Sequence, residues 1–348
     1  MSDVQQSLLL RALRREPTAR PPIWLMRQAG RYLAEYRQLR EKVGFIDLCR
    51  DPRLCAEVMA QTVERIGVDA AILFSDLLLI LEAMGLHLEF SAGEGPVLHN
   101  PIRDAEDVGR LEELTDVGRI GYVFEAVRQT RAALPAGMPL IGFAGAPFTL
   151  AAYAVEGGGS RDFRLAKSLM LRSPAAWQKL LERIGRSVAA YLNAQIDAGA
   201  HVVQVFDSWL GCIGPDDYRR HVLPATRELI AAIRSGVPVI YFATGNPALL
   251  PLLREALGDR PHAAVGCDWR VRLDDAWRTV GHDVAIQGNL DPVVLLSTPD
   301  LVRQRARELL EQAEGRPGHI FNLGHGVLPQ TPVENVLALV EAVKEGGV

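Results

Sequence analysis

No stretch of the 348-residue chain approaches the ~20 consecutive apolar residues that a membrane-spanning helix requires. Disulfide and zinc-ribbon frameworks are absent as well. The four cysteines (Cys49, Cys55, Cys212 and Cys267) show no CxxC spacing, and a chain this long needs no covalent staples, which points to reduced thiols. The chain also has no positive balance, since its net charge is −4. General nucleic-acid binding wants a basic surface, so that class is disfavoured. No HExxH or comparable histidine spacing suggests a catalytic metal, no GxxxxGK[ST] suggests a phosphate loop, and no GxSxG suggests a nucleophile elbow. The Leu run at 8–10 is too short for a signal-peptide core. These absences lead us to expect a cytoplasmic protein with no membrane, nucleic-acid or metal partner.

What the chain does have is alternation. Short apolar runs at 23–26 (IWLM), 70–74 (AAILF), 139–144 (PLIGFA), 202–206 (VVQVF), 238–243 (PVIYFA), 263–266 (AAVG), 284–288 (VAIQG) and 319–324 (HIFNLG) are separated by longer amphipathic stretches. The runs lack strict polar alternation, as expected of parallel strands buried on both faces. Helical spacing is clear at 174–198, where Trp177, Leu180, Leu181, Ile184, Val188, Leu192 and Ile196 share a face. It recurs at 332–343 with Val333, Val336, Leu337, Val340 and Val343. Proline marks helix starts in SPAAW, GNPALL, TPDLV and TPVEN. Eight strand–helix units in an α/β chain without low-complexity linkers predict one (β/α)8 TIM-type barrel over residues 1–348, with 86–102 as an inserted hairpin. The alternative, an open doubly wound sheet, normally carries a glycine-rich turn after its first strand. Here that turn is Arg27-Gln28-Ala29-Gly30-Arg31.

Chemistry in a barrel sits past the C-terminal ends of its strands. Those positions hold Arg27 and Arg31, Ser75-Asp76, Gly145-Ala146-Pro147 leading to Tyr153, Asp207-Ser208, Thr244, Asp268, Asn289 and His325. Two guanidinium forks four residues apart suit a carboxylate- or phosphate-bearing ligand; the same spacing also fits two solvated arginines at a helix start. Residues 11–42 carry nine Arg/Lys against three Glu, a basic face that fits a small polyanion or a solvated helix. Asp76, between apolar neighbours, is either a partly buried active-site carboxylate or a helix N-cap. His325 lies between two glycines, where it could donate or accept a hydrogen bond or act as acid or base. The EGGGS run at 156–160 has the look of a flexible loop.

Taken together, PPIWLMRQAGRYLAEYR, LFSD, GFAGAPFTLAAYAVEG, VQVFDSW, IYFATGN, IQGNLDP and FNLGHGVLPQTPVENV closely resemble the uroporphyrinogen decarboxylase family of haem biosynthesis, from about residue 20 to the C-terminus. The resemblance implies a distorted barrel, usually homodimeric, that needs neither metal nor organic cofactor. It implies removal of the four acetate carboxyls of uroporphyrinogen III as CO2, giving coproporphyrinogen III. The family's binding segment falls on Arg27, Gln28, Ala29, Gly30 and Arg31, its central aspartate on Asp76, and its other site residues on Tyr153, Ser208 and His325. Ala34 stands where the family often has proline after RYL. A different class within the same superfamily, zinc methyltransferases, would supply His and Cys ligands past the later strands, and IYFATGN offers none. A non-catalytic porphyrin binder would keep the arginines without an evident need for Asp76.

Overall fold

The computed structural model describes residues 3–91 and 95–346. Its strands are β1 (Ala71–Ile72), β2 (Leu88–Ser91), β3 (Gly95–Leu98), β4 (Leu140–Gly145), β5 (Val202–Asp207), β6 (Val239–Ala243), β7 (Ala263–Gly266), β8 (Ala285–Leu290) and β9 (His319–Leu323). Seven of them form one parallel sheet in the order β1-β4-β5-β6-β7-β8-β9. β2 and β3 form a separate antiparallel hairpin. Valine, isoleucine and phenylalanine dominate the long strands, and β4, β6, β7, β8 and β9 are buried at every position. Such residues favour the extended backbone, and helices cover the outer face.

The eighth position differs from the sequence expectation. Residues 23–26 do not form a regular strand. They make a single parallel bridge, Ile23 to Phe321 of β9, and the Phe321 N–H donates to the Pro22 carbonyl at 2.9 Å. On the other side, the Asp69 N–H donates to the Ile23 carbonyl at 2.8 Å. Side chains take the remaining ladder positions: Ile23 N–H donates to the Asp69 carboxylate, Leu25 N–H to Gln28 Oε1 and Met26 N–H to Asn322 Oδ1. The segment therefore closes the curled sheet between β9 and β1 without being a strand, because side-chain carboxylate and amide groups take N–H groups that a neighbouring strand would otherwise pair.

Contacts across the interior confirm the closure. Trp24 Nε1 donates to Gln287 Oε1 at 3.0 Å, and Gln287 Nε2 donates to Gln204 Oε1 at 3.0 Å. Gln204 is on β5 and Gln287 on β8, strands that are not neighbours, so their side chains meet through the barrel centre. All three residues are fully buried. A buried amide left unpaired is costly, and this chain of donors and acceptors pairs both glutamines.

The helices Pro174–Ala198 and Val333–Glu345 stand where the spacing places them. All the expected inward residues of the first are buried except Ile196, which is half-buried. Val333 and Leu337 of the second are half-buried too, while Leu339 joins the core. The inserted hairpin is present, and its turn at 92–94 lies outside the described residues. It docks on the 156–160 segment, expected to be a flexible loop. Gly157 instead caps the helix Pro147–Glu156 in the left-handed region, its carbonyl accepts Leu98 N–H at 2.8 Å, and Gly158 bridges Val97.

Candidate active site

The first strand-end turn is built around Gln28. This residue is fully buried, with Nε2 donating to the Ala70 carbonyl and Oε1 accepting from Leu25 N–H. Its carbonyl accepts the Tyr32 hydroxyl at 2.7 Å. The side chain expected to meet a ligand is thus spent on holding the turn, leaving Arg27, Ala29, Gly30 and Arg31 as the accessible part. Arg27 adopts φ 59, and a Cβ on Gly30 would sit 3.1 Å from the Arg27 carbonyl, so the glycine keeps this turn tight. Arg37 Nη1 donates to the carbonyls of Arg31 and Tyr32 from below. Most arginines of the basic stretch are engaged: Arg11 and Arg14 with Glu16, Arg20 with Asp69, Arg40 with the Val43 carbonyl. Among the described residues, Arg27 and Arg31 are exposed and have neither a carboxylate partner nor a side-chain hydrogen bond.

Asp76 follows β1. Its Oδ1 accepts the Leu78 N–H at 2.8 Å, and the helix Leu79–Ala83 begins only after Leu78. The carboxylate stabilises a local turn rather than serving as the formal N-cap, and Oδ2 has no hydrogen-bond partner among the described residues. Burial pushes its pKa up to about 6; the Leu78 N–H and the positive charge of Arg27 pull the other way. At neutral pH the ionised form predominates.

Tyr153, on the helix Pro147–Glu156, has its ionisation suppressed by burial first and by the Asp76 charge second, which puts both groups on one space. Its ring meets Trp209 edge-on at 5.7 Å. Ser208 is fixed by what flanks it. Thr149 donates from its hydroxyl to Asp207 Oδ1 at 2.7 Å and accepts the Trp209 N–H at 3.3 Å. Tyr241 donates to Asp207 Oδ2 at 2.9 Å. Burial raises Asp207 to about 7, against the pull of these two hydroxyls.

His325 sits where two glycines allow close packing. A Cβ on Gly326 would lie 2.6 Å from Arg27 Cγ, and one on Gly324 would lie 2.7 Å from the Trp269 nitrogen. The Arg27 stem therefore rests on the His325 loop. Burial, helped by the positive charge of Arg27, lowers His325 to about 4. Its imidazole is neutral at physiological pH and acts as a hydrogen-bonding group rather than a store of protons.

The structure brings together Arg27, Asp76, Tyr153 and His325: the charge of Arg27 acts on the other three, and that of Asp76 on Tyr153. Arg31 lies on the same turn as Arg27, and Ser208 adjoins Trp209, which packs on Tyr153. Asp268, noted at a strand end, is buried and accepts from Thr244 Oγ1 and Gly245 N–H, both at 2.6 Å, and from Arg270. Arg270 itself escaped the sequence reading because it lies two residues beyond the strand-end aspartate. The CDWR run, an arginine beside an aromatic and an acid, was the available signal. Among the described residues, no group of three or more His, Cys, Asp or Glu is placed to hold a metal ion.

A family model described as uroporphyrinogen decarboxylase (URO-D) matches residues 4–346. A protein named uroporphyrinogen decarboxylase from Roseiflexus sp. (strain RS-1) is 50% identical over 345 residues, 97% of this chain and 98% of its own. One of the same name from Sorangium cellulosum (strain So ce56) is 52% identical over 335 residues, 96% and 95% respectively. A methyltransferase from Methanosarcina mazei has the same fold, with a TM-score of 0.81 at 22% identity over 97% of this chain and 98% of that one. At that identity the likeness extends to the fold alone. With half its residues shared along nearly its full length, and a basic turn and an unpaired carboxylate at the barrel mouth, the chain belongs to the uroporphyrinogen decarboxylase family.

Proposed function

We propose that the protein removes the four acetate carboxyl groups of uroporphyrinogen III to give coproporphyrinogen III and CO2, without metal or organic cofactor, as one barrel unit that pairs into a homodimer. Family membership carries the decarboxylase reading. The observation that supports the site is the nearness of Arg27, on a turn shared with Arg31, to the raised carboxylate of Asp76, whose Oδ2 has no hydrogen-bond partner among the described residues.

The chemistry asks for an electron sink. A proton added to the pyrrole carbon beside the acetate-bearing position makes the ring cationic. The electron pair of the C–CO2 bond then flows into the ring as CO2 leaves. A second proton adds to the exocyclic carbon and the ring proton departs, leaving a methyl group. The net change is one proton consumed and one CO2 released per acetate, and the substrate supplies its own sink. Asp76 accepts hydrogen bonds from the pyrrole N–H groups and balances the cation. At ~4 Å and an effective dielectric near 20, such a pair interacts by about 4 kcal/mol, and only the part stronger in the transition state speeds the reaction. Arg27 and Arg31 clamp peripheral carboxylates, with Ala29 and Gly30 keeping the turn low enough to approach. Gln28 is a positioning residue. Tyr153, Ser208 and neutral His325 orient the substrate by hydrogen bonds.

The test is incubation of the purified protein with uroporphyrinogen III under reducing conditions, before and after exhaustive chelation, with products separated by carboxylate number. The expected outcome is stepwise appearance of the tetracarboxylate at equal rates in both samples. Activity lost on chelation and restored by zinc would favour methyltransferase-like metal chemistry; tight binding without CO2 release would leave a porphyrin carrier.

A further inference from the structure

We propose that Arg270 is a third carboxylate-binding cation of this cleft, meeting the substrate rim on the side of His325 opposite Arg27. The proposal rests on the decarboxylase reading and adds a residue to its binding site. His325 is the hinge of the geometry. The glycine after it packs on the Arg27 stem, and the glycine before it packs on Trp269 and the Asp268 backbone. One wall therefore runs from Arg27 through His325 to the 268–270 loop. The positive charge of Arg270 reaches the imidazole, as that of Arg27 does.

Arg270 is held ready rather than tied up. Its Nη1 donates to Asp268 Oδ2 and, at 3.3 Å, to Thr244 Oγ1. Among the described residues, its Nε and Nη2 have no partner. The guanidinium lies over the Trp269 ring at 4.4 Å from the centroid, and its side chain is 45% exposed. The loop beneath is bracketed by Asn289, whose Nδ2 donates to the carbonyls of Asp268 and Val271, each at 2.8 Å. Asp268 also accepts three donors besides the Arg270 guanidinium: Thr244 Oγ1, Gly245 N–H and Arg270 N–H. The carboxylate would stay hydrogen-bonded without the guanidinium, and a stacked, half-paired fork retains donors for a ligand. A macrocycle with carboxylates around its whole rim cannot place them all on Arg27 and Arg31, which share one turn.

Fluorescence titration with uroporphyrin, the oxidised octacarboxylate, reads binding without turnover. Steady-state kinetics with uroporphyrinogen III run in parallel. For Arg270→Gln we expect Kd and KM raised roughly 10- to 100-fold, a shallower dependence of Kd on ionic strength and unchanged kcat, with a lowered Tm because buried Asp268 loses its ionic partner. Should that variant fail to fold, Arg270→Lys decides: it keeps the charge but not the fork, and a severalfold weaker Kd is expected. A wild-type Kd with wild-type salt dependence in Arg270→Gln overturns the proposal, as does reduced kcat at unchanged Kd, which would mark a loop-ordering role. A wild-type Kd in Arg270→Lys, when it alone folds, overturns it too. If wild-type protein binds uroporphyrin yet releases no CO2, the decarboxylase reading fails, while the Arg270 comparison still stands on Kd.

Discussion

An aspartate raised to about 6 by burial is ionised at neutral pH at a cost to the fold. The sign follows from linkage. The folded state binds the Asp76 proton more tightly than the unfolded chain, whose carboxylate has the ordinary value of 3.8. The Asp76 contribution to stability is therefore fully present below that value and is lost as pH rises through about 6. Asp76→Asn keeps the shape and the bond to Leu78 and removes the charge. Its Tm should exceed wild type at about pH 8 and converge with it near pH 4. Turnover should fall by roughly 10²–10³, the scale set by losing one preorganised electrostatic partner. The acidic limb of kcat/KM, expected near pH 6 in the wild type, should vanish with it. Single-turnover decarboxylation and melting curves on one preparation check all three, and wild-type turnover in the variant would end the role assigned to the charge. His325, already neutral down to about 4, contributes nothing to that limb.

At the scale of the element, the short segment carrying Arg27 depends on Asp69. This carboxylate takes both arms of Arg20, at 2.7 and 2.8 Å, and the Ile23 N–H at 2.8 Å. Asp69→Ala strands three donors in a half-buried site. We expect a loss of roughly 2–3 kcal/mol of stability, read as a lower urea midpoint at constant m, together with a higher KM because the arginine turn loosens. An unchanged midpoint would show that the bridge to β9 alone holds the segment. The runs of the seven sheet strands were legible because burial on both faces leaves mostly apolar residues without polar alternation. IWLM is as apolar, yet three of its four N–H groups go to the side chains of Asp69, Gln28 and Asn322, and Asp69 and Asn322 lie 46 and 296 positions away, where no local pattern reveals them. For the same reason Gln28 reads as a ligand contact and folds as a brace. Asp76 and His325 draw notice in the sequence because polar residues past apolar strand ends stand out against their surroundings; Tyr153 lies within the helix Pro147–Glu156, and the family resemblance is what singles it out. Arg270 sits inside a loop where an arginine is ordinary, and only its stacking and its nearness to His325 distinguish it.

For the molecule as a whole, a net charge of −4 should repel a polycarboxylate, whereas the arginines of the proposed site should attract it. The attraction is short-ranged, set by a screening length of about 8 Å at physiological ionic strength. Capture of uroporphyrinogen should accordingly weaken as salt is raised. The expected readout is a KM that rises with ionic strength while kcat holds; a KM indifferent to salt would place recognition on uncharged contacts instead.

Arg27 resting on Gly326, and Met26 bonded to Asn322, also have a consequence in time. At about 5–20 residues per second, the ribosome needs roughly 15–60 s to add the 296 positions between Met26 and Asn322. Through that interval the nascent chain has its first arginines but not the wall against which they are aimed. The six sheet strands that precede β9 can begin pairing as they emerge, while the seam that makes the cleft waits until β9 has been made. Binding competence therefore arrives late and abruptly, and a chain interrupted before β9 has no cleft to offer, however much of its barrel has formed.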